Sequence, residues 1–224
     1  MIKKIFKFSK KFNRKIKNIY IRIFSYHTFK YKEISKYQYW QTRRTNLKKI
    51  VPNSFQIDRA KILKNFIDNS EKLLFDIGSG DGSQLIAIKQ IFPKIKIIGS
   101  DKDKFACELM KMQNFPCHFL KDDNLIYEII KKYRPSYVSI FEVLEHMDCP
   151  EEVITKLLEF ENIMIFASVP NSGYFMHRIR YLFGRFPLQW ISNPNEHLRF
   201  WTIKDLNWWL NYLDIRQKSF IIPY

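Results

Sequence analysis

The chain has 224 residues, 46% of them hydrophobic, which is enough for one globular domain with a full core. It contains no run of about 18 uncharged apolar residues, so the sequence offers no membrane span, and the basic N-terminus lacks the continuous apolar stretch and small-residue cleavage site of a secretory signal. The net charge of +16 is uneven: residues 1–36 hold twelve Lys and Arg and one acid, Glu33, a net of +11, which leaves +5 for the other 188. The cysteines Cys107, Cys117 and Cys149 are scattered without a Cys-x-x-Cys pair. That argues against a disulfide framework or a thiolate zinc site and makes a reducing cytoplasm the expected compartment.

In chain order, residues 1–36 come first as a basic amphipathic helix, strongest over 1–30. Ile2, Ile5, Phe6, Phe12, Ile16, Ile19, Ile23 and Phe24 recur at helical intervals among the lysines. Such a helix suits an anionic membrane surface through residues 1–24, a nucleic acid, or simple packing as a cap on the domain. Residues 33–67 read as helical with a break at Val51-Pro52-Asn53-Ser54, since proline disfavours helix at the residue before it. From residue 73 short apolar runs alternate with helical stretches. Strands are expected at 73–77, 95–100, 117–120, 136–141 and 162–169, and helices near 83–92, 103–113, 124–133 and 150–160. This alternation predicts an α/β domain over 37–224 with a mostly parallel, doubly wound sheet and an N-terminal helical cap. Residues 171–196, with Pro170, Gly173, Gly184, Pro187 and Pro194 in or beside them, form a long insertion suited to substrate binding. A helix at 203–213 and a strand at 216–222 follow.

The first strand runs into a glycine-rich turn, Asp76-Ile77-Gly78-Ser79-Gly80-Asp81-Gly82. Glycines there let the backbone turn sharply and approach a ligand closely. The second strand ends at Asp101, where an acid can accept both hydroxyls of a ribose. Asp122 and Asp123 follow the third strand, where a carboxylate can receive an adenine amino group. A nicotinamide dehydrogenase is the alternative reading of such a loop. The acid that opens it, Asp76, disfavours a neighbouring pyrophosphate but tolerates a cationic methionine end. On these residues the chain resembles the class I S-adenosylmethionine-dependent methyltransferases, over about 37–222. The resemblance implies a Rossmann-like fold, S-adenosylmethionine as cofactor, and binding by Asp76, Gly78, Gly80, Gly82, Asp101, Asp122, Asp123 and Phe141. In that family the sheet ends in a hairpin of two strands, and this sequence supplies one candidate.

The fourth strand leads directly into Phe141-Glu142-Val143-Leu144-Glu145-His146. Glu142, Glu145 and His146, at i, i+3 and i+4, share one face if the run is helical. Two carboxylates and an imidazole suit a divalent ion such as Fe²⁺, Mn²⁺ or Mg²⁺. Together with the distant His197 they resemble the Glu-x-x-Glu-His and later histidine of the small-RNA 3′-end 2′-O-methyltransferases. The ubiquinone-pathway O-methyltransferases carry a similar Glu-Val-Leu-Glu-His run. Residues 168–206 show a weaker likeness to methionine-biosynthesis methyltransferase-like proteins. The implied metal set is Glu142, Glu145, His146 and His197, with Glu142, His146 and His197 as catalytic candidates. Many class I methyltransferases carry Leu-Glu-His here without metal, as a packed helix start.

The expected reaction is O-methylation of a sugar hydroxyl, with a nucleotide-activated sugar for a surface or capsule polysaccharide as the leading acceptor. Arg178, Arg180 and Arg185 in the insertion, beside His177, would hold its phosphates; solvated loop charge explains them equally well. An RNA ribose is disfavoured by the mildly basic body, and a small phenol remains an alternative, since Trp190, Phe200, Trp201, Trp208 and Trp209 could line a pocket. Trp208 and Trp209 are better explained as packing the last helix on the sheet. A non-catalytic partner of a metabolic enzyme is a third reading. His27 and His118 read as ordinary surface or partly buried residues.

Overall fold

The computed structural model describes residues 14–21, 23–24, 50–186, 197–215 and 220–221. The expected helix over 33–49, His27, Trp190, and the parts of the N-terminal helix, the insertion and the last strand that fall elsewhere lie outside the described residues.

The order of the chain is α1 (Ser54–Ile62), β1 (Leu73–Ile77), α2 (Ser83–Ile91), β2 (Lys96–Asp101), α3 (Lys104–Met112), β3 (Cys117–Phe119), α4 (Asn124–Tyr133), β4 (Tyr137–Phe141), α5 (Pro150–Leu158), β5 (Met164–Ser168), α6 (Phe175–Leu182), α7 (Ile203–Tyr212) and β6 (Phe220–Ile221). Before them, residues 14–21 and 23–24 are helical. The six described strands form one sheet in the order β3-β2-β1-β4-β5-β6, and every pairing is parallel. The expected strands between 73 and 169 are all present, with ends shifted by at most two residues. The insertion is not irregular throughout: α6 lies within it.

Local chemistry sets the helix starts. Asn53 caps α1, its side chain accepting from Gln56 N–H while the Gln56 side chain accepts from Asn53 N–H. Thr202 and Asp205 form the same reciprocal box at α7. Each cap contributes about 1 kcal/mol. Pro150 opens α5 at a position where its missing N–H costs nothing.

The two faces of the sheet bury two apolar layers. Phe75, Ile77, Val138, Ile140, Ile165 and Ala167 pack on α4, α5 and α7. Leu74, Ile97, Tyr137, Phe141 and Phe166 pack on α1, α2 and α3. Alternation along each strand produces the division, because successive side chains point to opposite faces. It also assigns Asp76 and Ser139 to the α1–α2 face, between Leu74 and the residues that follow, and to one register pair. Trp209 is buried, 5.3 Å from Trp201, and donates through Nε1 to Glu151. Trp208 does not pack against the sheet as expected; it is 66% exposed and stacks on Tyr212, one turn further along α7.

The strand order switches direction between β1 and β4, so a crevice opens at their carboxyl ends, where ligands of open α/β sheets bind. The glycine loop, Asp101, Glu142 and Asn171 all follow strand ends at this edge. A cavity of about 490 Å³ between Arg134-Pro135-Ser136 and Asn162-Ile163 lies at the opposite edge, before β4 and β5, away from these groups.

Candidate active site

The glycine loop is held to β2 by its own backbone. Gly78 and Ser79 N–H both donate to the carbonyl of Ser100, and Ser100 N–H donates to Ser79 Oγ. Gly78 has φ +72°, and a Cβ there would collide with the Val143 side chain. Only glycine meets both demands. Gly82, at φ +79°, starts α2 without a side-chain cap. Gly80 N–H donates to Asp101 Oδ2 at 2.8 Å, and Asp103 N–H to Oδ1 at 2.8 Å. The expected ribose acid is therefore aimed at the glycine loop, with both oxygens holding backbone amides and each keeping a second lone pair. Burial raises its pKa above the ordinary carboxylate value.

Asp76 is buried, and Ser139 Oγ donates to it. Burial pushes its pKa up to about 6, against the opposing pull of Ser139, Ser79 and Arg59. Asp122 and Asp123 differ in duty: Asp122 Oδ1 accepts the N–H groups of Asn124 and Leu125 at the start of α4, and Asp123 pairs with Lys102 at 2.9 Å. Phe141 is buried at the end of β4 under the guanidinium of Arg59, 5.0 Å from its ring centre.

The helical reading of 142–146 does not hold. Glu142 adopts φ +56° and turns the chain out of β4; Leu144–His146 then form a single 3-10 turn. The three residues consequently do not line one α-helical face. The carboxylate of Glu142 accepts from Ser168 Oγ at 2.7 Å and from Arg59 Nη2 at 3.0 Å, while its N–H donates to Ser168 C=O. A non-glycine residue in the left-handed region costs about 1–2 kcal/mol, and these three bonds hold it there. Glu142 is thus separated from the metal set and tied to α1 and β5.

The remaining three come together. Ligand atoms of Glu145, His146 and His197 all lie within 4.8 Å of one another. Glu145 is 1% exposed, and His146 Nε2 stands 3.8 Å from its Oε1. The His146 and His197 rings meet edge to face at 4.7 Å. The approach of His197 is set by the backbone: Leu198 and Arg199 N–H both donate to Glu145 C=O, at 2.7 and 3.2 Å, and Arg199 Nη2 donates to Asp148 C=O. Donors about 2.1 Å from one ion lie within about 4.2 Å of each other, and the trio, at up to 4.8 Å, stands slightly wider than that. Two imidazoles and one carboxylate form a set suited to a divalent transition ion that leaves positions open.

The insertion arginines do not form one cluster. Arg178 is exposed and Arg185 half-buried. Arg180 is buried and donates to the carbonyls of Phe186 and Ile23. It holds two chain segments, which corrects its reading as a phosphate ligand. His177 is buried as well, and burial, then Arg180, lowers its pKa. His118 is half-buried beside Tyr133. Phe200 stands 6.3 Å from His197 and 6.5 Å from Phe186, an aromatic rim beside the trio.

Arg59 escaped the sequence reading. Its signal was present: Arg59 shares the buried stripe of Ala60 and Leu63, and a cation in an apolar stripe implies a buried acid. Which acid was fixed only by the packing of α1 over the end of β4.

The methyltransferase-domain family model matches residues 39–214. The chain belongs to that family. The family's activity is methyl transfer. Among solved structures it is similar to the plantazolicin methyltransferase BpumL in complex with SAH, at 19% identity over 80% of this chain and 68% of that one, with a TM-score of 0.48. It is also similar to the pyocyanin biosynthetic protein PhzM, at 11% identity over 69% and 47%, TM-score 0.43. A third is the mitomycin 7-O-methyltransferase MmcR, at 18% identity over 50% and 35%, TM-score 0.37. No curated protein matches the chain.

Proposed function

We propose that this methyltransferase is a divalent-metal-dependent O-methyltransferase whose acceptor is a sugar hydroxyl, carried on a nucleotide-activated sugar. The observation that carries the reading is the convergence of Glu145, His146 and His197 at the carboxyl edge of the sheet, after the same strand that presents Phe141. An alcohol of high pKa needs help to become a nucleophile, and a divalent ion supplies it by binding adjacent hydroxyls and lowering the pKa of one.

Glu145, His146 and His197 would hold the ion. The backbone bonds from Leu198 and Arg199 to Glu145 keep His197 in place. The glycine loop and Asp101 hold the donor, and Arg59 fixes the turn at Glu142 so that Val143 covers Gly78. Arg178 and Arg185 remain for acceptor phosphates; Arg180 no longer counts among them. The aromatic rim of Phe200 and Phe186 favours a second acceptor class, a small phenol with two adjacent hydroxyls, which the same trio would accommodate.

The test measures metal content and methyl transfer together. The protein is titrated with Fe²⁺, Mn²⁺ and Mg²⁺ by calorimetry, then assayed with S-adenosylmethionine against nucleotide sugars and catechols. Glu145→Gln and His197→Ala should each lose metal binding and at least about tenfold in activity. Full activity of both variants in excess chelator would end the metal reading and leave methyl transfer standing.

A further inference from the structure

We propose that the N-terminal helix and the end of α6 form one docking surface for an anionic lipid bilayer. Ile16, Ile19, Tyr20 and Ile23 follow i, i+3, i+4 and i+7, a single stripe on the helix. Ile16, Ile19 and Tyr20 are 50–63% exposed, and Arg14, Lys15 and Lys17 around them are exposed too. No described partner covers that stripe along its length.

The helix is not adrift from the domain. Arg180, buried in α6, donates through Nη1 to the carbonyl of Ile23 at 3.0 Å. Phe24 packs on Phe183 at 4.8 Å, and Tyr20 on Phe24 at 4.9 Å. These contacts set the basic helix beside a second apolar element. At the end of α6, Tyr181, Leu182 and Phe183 are all exposed, Leu182 by 84%, and Phe186 follows at 45%. Gly184, at φ +63°, turns the chain immediately after them. Successive exposed apolar residues on a turn are costly in water and mark a site of contact.

Charge selects the occupant. Residues 1–36 carry twelve basic residues against one acid, whereas the remaining 188 carry a net of only +5. Basic side chains at the edge of an apolar stripe suit a surface with negative headgroups above and acyl chains beneath. Nucleic acid would use the lysines but gives exposed Ile16, Ile19 and Leu182 nothing to bury against. The 171–196 connection that carries α6 also leads to His197, so the docking surface and the candidate active site share one segment.

The full chain is tested by co-sedimentation with vesicles of phosphatidylglycerol mixed with phosphatidylcholine, and with vesicles of phosphatidylcholine alone. Binding should be at least about tenfold stronger to the anionic vesicles and should weaken as salt rises. Ile16→Glu, Leu182→Glu and the pair Lys15→Glu with Lys17→Glu should each reduce it by about tenfold or more. Unchanged circular dichroism and S-adenosylmethionine binding confirm that each variant folds. Equal partition onto neutral vesicles, or anionic binding undiminished in Leu182→Glu, overturns the proposal. So does binding of a labelled RNA that is lost with the lysines yet kept in Ile16→Glu and Leu182→Glu, and so does a concentration-dependent dimer that Leu182→Glu dissolves while vesicles go unbound.

Discussion

Arg59 on α1 donates to the carboxylate of Glu142 at 3.0 Å, across 83 residues of sequence, and so ties to α1 the acid that opens the Glu-x-x-Glu-His run. The pair also pins the left-handed turn that ends β4. Arg59 is anchored in turn by Gln84 on α2, at 2.9 Å. One side chain therefore links three elements around the carboxyl edge.

Removing it should be expensive. Breaking a buried pair by deleting one partner costs about 3–5 kcal/mol when the other charge is fully buried. Glu142 keeps 35% side-chain exposure, so water relieves part of that, and Arg59→Ala should lose about 2 kcal/mol. Urea unfolding of Arg59→Ala, Glu142→Ala and the double variant checks it. The double variant should be less destabilised than the sum of the singles, and strict additivity would show that the pair does not couple.

Gly78→Ala should fail at the donor site before it fails as a fold. The added methyl meets Val143, and φ of +72° strains any L side chain. We expect a loss of about 1–2 kcal/mol in stability and at least a tenfold loss of S-adenosylmethionine affinity by calorimetry. Pairing it with Val143→Ala removes the collision but not the backbone strain. Partial recovery of affinity is the expected result, and no recovery would mean that contact with Val143 is not what limits the loop.

Asp76 carries a pH signature. Its folded pKa of about 6 lies above the ordinary carboxylate value of 3.8. Between those values the native state holds more protons than the unfolded one, so stability falls as pH rises through the window, and the full cost is present above it. The difference of about two units corresponds to about 3 kcal/mol. Asp76→Asn, which keeps an acceptor for Ser139, should therefore raise stability at pH 7 and lose that advantage near pH 4. Thermal unfolding at the two pH values checks the sign; an Asn variant that is less stable at pH 7 than at pH 4, relative to the parent, would contradict it.

Two cysteines that look scattered in sequence meet in the fold. The Cys117 thiol donates to Cys107 Sγ at 2.6 Å, between β3 and α3. That contact lowers the Cys107 pKa and raises that of Cys117, so Cys107 is the first of the two to ionise. An azo oxidant such as diamide should take two electrons and two protons from this pair, leaving an internal disulfide and the reduced hydrazine. Cys149, exposed, should stay alkylatable. Closing so short a loop should add about 2–3 kcal/mol of stability. Mass spectrometry after alkylation reads the outcome, and labelling of all three thiols after oxidation would refute it.

Much of the fold was legible along the chain because it is local. The period-two and helical patterns, the Pro150 start and the glycine turn are each decided by residues within a few positions, so the strands and helices between 73 and 169 fall within two residues of their expected ends. The glycine loop and Asp101 were legible for the same reason: a strand, a tight turn and a strand-end acid are sequence-adjacent features. The Glu-x-x-Glu-His run was legible as chemistry but not as geometry. Spacing alone implied a helix face; the chain instead leaves β4 at φ +56° and makes one 3-10 turn.

The sequence by itself determined the family, the sheet that opens a crevice at its carboxyl edge, and the residue types gathered there. Only the tertiary structure decided who partners whom. Arg59 takes Glu142, the carbonyl of Glu145 draws in the segment of His197, and Arg180 turns from a phosphate ligand into the tie for the N-terminal helix. The reason is physical: a buried charge must find its complement wherever packing brings one within about 3 Å, and that encounter joins residues whose separation along the chain carries no signal.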